Sequence, residues 1–225
     1  EPPRRFAPIG RRESVNGTGD AVPPRVDDAW LRTLSEQIAD ASGLLACFDY
    51  DGTLAPIVSD PDAAAIPPAV REPLSRLADA PAVEVAVVSG RSLPDLRERV
   101  GIDGVRYVGN HGLEWDDGTG RTVLPAARAS RPSLQRAVGS LRKELADVPG
   151  CFIEDKRLTA TVHYRRTPSA HVPDVLDAVE RAAEASDALR ITRGKAVREL
   201  RPVAAAGKGR AVERLRKRRP DDLPI

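Results

Sequence analysis

The 225-residue sequence has no methionine, only two cysteines, and few aromatics: two Trp, three Tyr and three Phe. Without Met even at position 1, the chain reads as less than a complete translated product. Cys47 and Cys151 sit far apart inside apolar runs, which argues against a disulfide framework or a cysteine metal cluster and suits reduced, buried, inert thiols. A large charge of one sign is also missing. Lys plus Arg number 35 against 33 Asp plus Glu, a net charge of +2, so there is little long-range pull on nucleic acid or anionic membrane. No run approaches the roughly 18 uncharged apolar residues of a membrane span, and no apolar signal core opens the chain; the reading is a cytoplasmic protein with no membrane partner. Lysine is scarce, at positions 143, 156, 195, 208 and 217 only, so each one is weighed singly.

A chain of this length can hold one full domain plus a smaller one. Residues 1–26 combine Pro, Gly and Arg with little large apolar surface and predict a disordered arm. Trp30, Leu31, Leu34 and Ile38 mark one face of a helix. It leads into the continuously apolar Gly43-Leu44-Leu45-Ala46-Cys47-Phe48, a parallel strand covered on both faces. Val70, Leu74 and Leu77 predict a helix, Val83 to Val88 a second strand, and Ser92 and Pro94 the start of a helix carrying Leu96 and Val100. Val105-Arg106-Tyr107-Val108 reads as a third strand. Strand, helix, strand implies a βαβ unit, with polar clusters at three strand ends.

After about residue 120 the pattern changes. A helix through Leu134, Val138, Leu141 and Leu145 precedes a strand at 151–156. Next comes an alternating segment, with Leu158, Ala160, Val162 and Tyr164 between Thr159, Thr161, His163 and Arg165, a half-exposed antiparallel pattern. A second helix (Val175, Leu176, Val179, Ala183) and a strand region over 189–201 complete a small α+β block. The expected organisation is a core over 27–119, an inserted α+β cap over 120–202 and a return to the core over 203–225, where Gly207-Lys208-Gly209 opens a helix through Ala211, Val212 and Leu215. His171 reads as a loop histidine.

Asp49 and Asp51 stand two apart at the end of an apolar strand, followed by Gly-Thr. On a strand they share a face, and like charges that close call for a cation between them. Such a pair supports attack on phosphorus by one carboxylate while the other protonates the leaving oxygen and later deprotonates water; a Mg²⁺ ion would screen the charge. Ser89, followed by Gly90, offers a hydroxyl and free backbone N–H groups to a phosphate. Lys208, between two glycines at a helix start, offers a point charge. Ser-Gly and a lone Lys are weak signals singly; their order after Asp-x-Asp-Gly-Thr is stronger.

That order resembles the haloacid dehalogenase superfamily, and Phe48-Asp49-Tyr50-Asp51-Gly52-Thr53-Leu54-Ala55-Pro56-Ile57 is similar to the motif of the trehalose-6-phosphate phosphatases. Narrower likeness lies in Gly109-Asn110-His111-Gly112-Leu113-Glu114, in Glu154-Asp155-Lys156 followed by Thr161-Val162-His163-Tyr164-Arg165, and in Gly194-Lys195 through Glu199 to Pro202. The resemblance covers roughly residues 28 to 225. It implies an α/β fold, a Rossmann-like parallel-sheet core with an inserted α+β cap, and Mg²⁺-dependent hydrolysis of trehalose 6-phosphate through an aspartyl-phosphate. By it, Asp49 is the nucleophile and Asp51 the acid/base; Asp49 and the Asp51 carbonyl ligate Mg²⁺, and Thr53, Ser89, Gly90 and Lys208 hold the phosphate. Glu154, Lys156 and Glu199 match the sugar-binding pattern, with Arg91, Asn110, His111, Glu114, His163, Arg165 and Lys195 as further candidates. The implied partners are a small-molecule sugar phosphate and a trehalose-phosphate synthase.

The superfamily's fourth acidic motif, usually Gly-Asp-Asp after a further apolar strand, is not found. Asp221-Asp222 follows Arg-Lys-Arg-Arg-Pro, not a buried strand, and Leu223-Pro224-Ile225 looks like the start of that strand. The expectation is a chain cut short just before the motif, with weakened metal binding, activity and stability. Two other readings stay open: a phosphatase for another sugar phosphate, such as sucrose phosphate or mannosyl-3-phosphoglycerate, and a non-catalytic regulatory domain of the same fold.

Overall fold

The structure, a computed structural model, describes residues 27–58, 60–116, 118–203 and 207–225. The expected arm over 1–26 lies outside the described residues. The first helix, α1 (Asp28–Ala39), starts at Asp27, whose side chain accepts from the Trp30 N–H at 2.8 Å. None of its residues is buried, and Leu31 and Ile38 are exposed. Its apolar stripe is therefore present but not part of a core.

Chain order continues with β1 (Leu44–Phe48), α2 (Pro68–Ala78), β2 (Val83–Val88), α3 (Leu93–Val100) and β3 (Arg106–Gly109). The strands alternate as both-face burial requires. Val85 and Val87 of β2 pack into one cluster with Leu74 of α2 and Leu96 of α3. Ala86 and Val88 pack into another with Leu45, Trp115 and, from α6 (Lys208–Arg218), Ala211 and Leu215. Ser92 accepts from the Asp95 N–H to open α3, and Gly101 closes it at φ 52°, a left-handed end that glycine takes without strain.

Two strands escape the sequence patterns, β4 (Glu114–Asp116) and β5 (Arg121–Val123). At three residues each they are too short for a readable period, yet they extend the first sheet antiparallel from β3. That sheet therefore runs past residue 119. Its order is β10-β1-β2-β3-β4-β5, where β10 (Leu223–Pro224) pairs parallel with β1 through Leu44↔Leu223. Asp222 lies beside Gly43, at the start of β1 and so at the opposite end of the strand from Asp49.

The second sheet, β6-β7-β9-β8, is antiparallel throughout. It comprises β6 (Phe152–Asp155), β7 (Ala160–His163), β8 (Leu189–Gly194) and β9 (Val197–Pro202). The single strand region expected over 189–201 is thus a hairpin, turned at Lys195 and Ala196, the latter at φ 57°. On one face Ala160, Val162 and Leu200 pack under α4 (Pro125–Glu144) and α5 (Val172–Glu184). The other face, with Thr161, His163 and Glu199, turns toward the end of β1. Leu113, Ala127 and Leu158 form a small apolar seam between the two layers. The cysteines are half-buried and unpaired, less enclosed than expected. Burial, then the charge of Glu84, pushes the Cys47 thiol up to about 11, which keeps it protonated and inert.

Candidate active site

β1 ends in Phe48 and hands the chain to Asp49 at the carboxyl edge of the sheet, where α/β folds collect their chemistry. Asp49 Oδ1 accepts from the Tyr50 N–H at 2.8 Å, and its Oδ2 takes the Lys208 ammonium at 2.5 Å. Lys208 gets there because α6 begins at that residue. The Asp51 carboxylate is held by Arg91, through Nε at 3.0 and 3.2 Å and Nη2 at 2.8 Å. Arg91 also bonds Asp95 at 3.0 Å and the Pro61 carbonyl at 2.8 Å, and its guanidinium lies 5.0 Å over the Tyr50 ring. Burial works to lower the Arg91 pKa, but the bonds to Asp51 and Asp95 outweigh it and hold the group charged. Each carboxylate of the pair thus has its own cation.

Ser89 is fully buried, with its Oγ accepting from the Arg91 N–H at 3.1 Å. A Cβ at Gly90 would stand 2.6 Å from the His111 ring, so any side chain there would shift that ring. Asn110 and His111 both take positive φ, 46° and 56°, the kind of local strain that a well-packed surrounding holds in place. That conformation turns His111 toward the second sheet, where Nε2 meets Glu199 Oε2 at 3.2 Å. There Lys156 Nζ stands 3.7 Å from both Glu154 and Glu199, and His163 Nε2 is 3.0 Å from Glu154. Burial pushes the Glu199 carboxyl up, but the His111 bond and the charges of His111, Lys156 and Arg201 bring it below the usual range. Glu154 is lowered in the same way, against burial, by His163 and Lys156.

A cavity of about 390 Å³ opens between the layers. Asp49, Asp51, Gly90, Arg91, His111 and Lys208 line it from the first sheet, and Glu154, Lys156, His163 and Glu199 from the second. Four expected sugar contacts are not on that wall. Glu114 is completely buried, accepting from the Leu93 N–H at 2.7 Å, the Asn110 amide at 2.5 Å and Arg121 at 2.5 Å. Asn110, equally buried, ties the layers together: its Oδ1 accepts from Thr159 and its amide reaches the Lys156 carbonyl at 3.3 Å. Arg165 falls past the end of β7 and Lys195 in the β8–β9 turn, both exposed. Thr53, expected at the phosphate, is also exposed and off the wall.

Residues 47–224 match the family model of the trehalose-phosphatases. The chain belongs to the trehalose-phosphatase family. It is 40% identical to the trehalose-phosphate phosphatase of Mycolicibacterium paratuberculosis, across 92% of this chain and 57% of that protein. Among solved structures, the C-terminal domain of trehalose-6-phosphate phosphatase from Candida albicans is 28% identical with a TM-score of 0.67, over 82% of this chain and 65% of that one. The C-terminal domain of a trehalose synthase regulatory protein from Candida albicans shares the fold at 14% identity, TM-score 0.59, over 83% of this chain and 64% of that one. The chain spans about half the length of the curated relatives it matches. No described helix is long and apolar enough to cross a membrane.

In this trehalose-phosphatase family member the cavity also has walls that the sequence patterns did not single out: Ile57, Val58, Pro61 and Ala64 from the loop after Asp51, and Thr161 and Val197 from the second sheet. The loop residues carry no periodic signal. Thr161 had one, since it alternates with Ala160 and Val162 and stands in register between Glu154 and Glu199. Its buried Oγ1 and Glu199 Oε1 have no hydrogen-bond partner. Among the described residues no group of three or more His, Cys, Asp or Glu is arranged to hold a metal ion.

Proposed function

We propose that this chain carries the phosphatase activity of its family, a phosphomonoesterase acting on trehalose 6-phosphate. The observation that carries the proposal is the meeting of Asp49, Asp51 and Lys208 with Glu154, Lys156 and Glu199 around one cavity. In this reading an Asp49 oxygen attacks phosphorus, the bond from phosphorus to the sugar oxygen breaks, and Asp51 gives that oxygen its proton. Water then attacks the aspartyl-phosphate, Asp51 takes up its proton, and inorganic phosphate leaves with Asp49 restored. Lys208, now on Asp49, moves its charge to the phosphoryl oxygens, and Arg91 orients Asp51. Glu154, Lys156 and Glu199 accept and donate to sugar hydroxyls, with His111 and His163 holding the two carboxylates in place.

Magnesium suits this donor set. Asp49 is a half-exposed carboxylate on the cavity wall, and Mg²⁺ is commonly held by one or two carboxylates together with substrate phosphate. Asp49 and the Asp51 carbonyl would hold it, and when bound it supplies charge neutralisation between nucleophile and phosphate.

Phosphate release from trehalose 6-phosphate, sucrose 6-phosphate and glucose 6-phosphate, with Mg²⁺ and with chelator, tests the proposal. Trehalose 6-phosphate is expected to be hydrolysed fastest and only with the metal; equal rates on all three would end the substrate assignment. A second reading, a non-catalytic domain that associates with a trehalose-phosphate synthase, draws on the absence of a third carboxylate beside Asp49 and Asp51 among the described residues. No turnover on any substrate would favour it.

A further inference from the structure

Phe152 is placed unlike the other aromatics among the described residues. It opens β6, the edge strand of the second sheet, and is 54% exposed. Strand alternation sets it on the side of Glu154, while Ile153 between them packs against the helix-covered cluster. Directly opposite in register is His163, and the two rings lie parallel, their centroids 4.2 Å apart and their planes 3° from each other. His163 is itself part of the cavity wall and shares Glu154. The phenyl ring thus continues the wall outward by one step: two residues along a strand, about 7 Å beyond Glu154.

On that face Glu154, Thr161 and Glu199 form one polar row, and Val197 stands opposite His163 on the cavity wall. His163 covers one face of the phenyl ring, and the rest of it stays open to water. A pyranose offers it something to cover. One face of the sugar is a patch of C–H groups that packs on an aromatic ring, while the equatorial hydroxyls remain free to bond the carboxylates and cations beside it. Phe152 is not on the wall of the enclosed part of the cavity. The ring is therefore placed to meet the part of a sugar phosphate that extends beyond that enclosed part.

We propose that Phe152, held flat against His163, is the platform for the second, non-phosphorylated pyranose of a disaccharide phosphate, and that it sets the preference for disaccharide over monosaccharide phosphates. The proposal rests on the sugar-phosphate reading above. Its test is the ratio of kcat/KM for trehalose 6-phosphate to that for glucose 6-phosphate in the full chain, for the wild type, Phe152→Ala, Phe152→Leu and Phe152→Tyr. In Phe152→Ala the ratio is expected to fall about tenfold, mainly through the KM for the disaccharide. Phe152→Leu is expected to recover little, and Phe152→Tyr most of it. A ratio that stays at the wild-type value in Phe152→Ala overturns the proposal. So does an equal loss on both substrates, which would make Phe152 only a prop for His163. A wild type that does not discriminate between the two sugars removes the substrate reading itself, and this inference with it.

Discussion

Gly109 ends β3 where the backbone entering α3 crosses it. A Cβ at this position would lie 2.6 Å from the Leu93 nitrogen, 2.9 Å from its Cα and 3.1 Å from the Arg91 carbonyl oxygen. All three are backbone atoms, so no rotamer change relieves the clash. The backbone is extended, with φ −100°, so the cost of Gly109→Ala is steric and not conformational. To reach ordinary contact, at about 3.5 Å, the two segments must part by nearly 1 Å. That pulls on the Asn110 N–H bond to the Arg91 carbonyl, now 2.7 Å, and through Arg91 on Asp51. Overpacking of this kind costs about 1–3 kcal/mol, or a drop in Tm of roughly 2–12 °C for a chain this long. A shift of this size near reacting groups can cost about a hundredfold in kcat/KM. Gly139→Ala is the matched control: it lies inside α4 with nothing within 4 Å of the point where its added methyl would stand, and should gain about 0.5–1 kcal/mol. Thermal unfolding and phosphate release on both variants decide the matter. If Gly109→Ala melts and turns over like the wild type, the close approach does not position Arg91 and the reasoning fails.

Asp49→Asn should fold with an unchanged far-UV spectrum and lose phosphate release by at least about a thousandfold; retention of a tenth of the rate would remove Asp49 as nucleophile. Glu199 has a lowered carboxyl, so its contribution to stability is fully present above the unfolded value near 4.3 and is lost as pH falls through the lower folded value. Glu199→Gln should therefore flatten the loss of stability below about pH 4.3, read by urea unfolding across pH; an identical acid profile would contradict this. Thr161→Val replaces a buried, unpartnered hydroxyl with a methyl of the same shape and should leave the chain as stable or stabilise it by up to about 1 kcal/mol; a fall in Tm of several degrees would show that the hydroxyl is bonded.

Much of the architecture was legible along the chain. The unbroken apolar run of β1 pointed to a parallel sheet covered on both faces, and in its neighbour β2 Val85 and Val87 do pack opposite Ala86 and Val88. The alternation over 158–165 pointed to a one-sided sheet, and β7 has Ala160 and Val162 under helices with Thr161 and His163 in the cleft. Local periodicity suffices there because a strand's two faces are set by its own bond geometry. It does not suffice for β4 and β5, whose three residues each depend on pairing with β3, nor for the turn at Lys195, where strand character continues on both sides.

Which polar side chains meet in the cavity was decided only by the tertiary structure. Glu114 and Glu199 look alike in sequence, each a carboxylate within a short polar motif. One is closed in by the Leu93 N–H, Asn110 and Arg121, and the other faces the cavity across from His111. Asn110 joins the two layers and does not line the cavity, and Phe152 stacks on His163 of the neighbouring strand. The sequence by itself determined the helices, the strands β1, β2, β3, β6 and β7, and the ends at which Asp49, Ser89 and Lys208 stand, since those follow from near neighbours. The company each side chain keeps depends on residues far along the chain, as Lys208 on Asp49 shows, brought together by packing that no local pattern encodes.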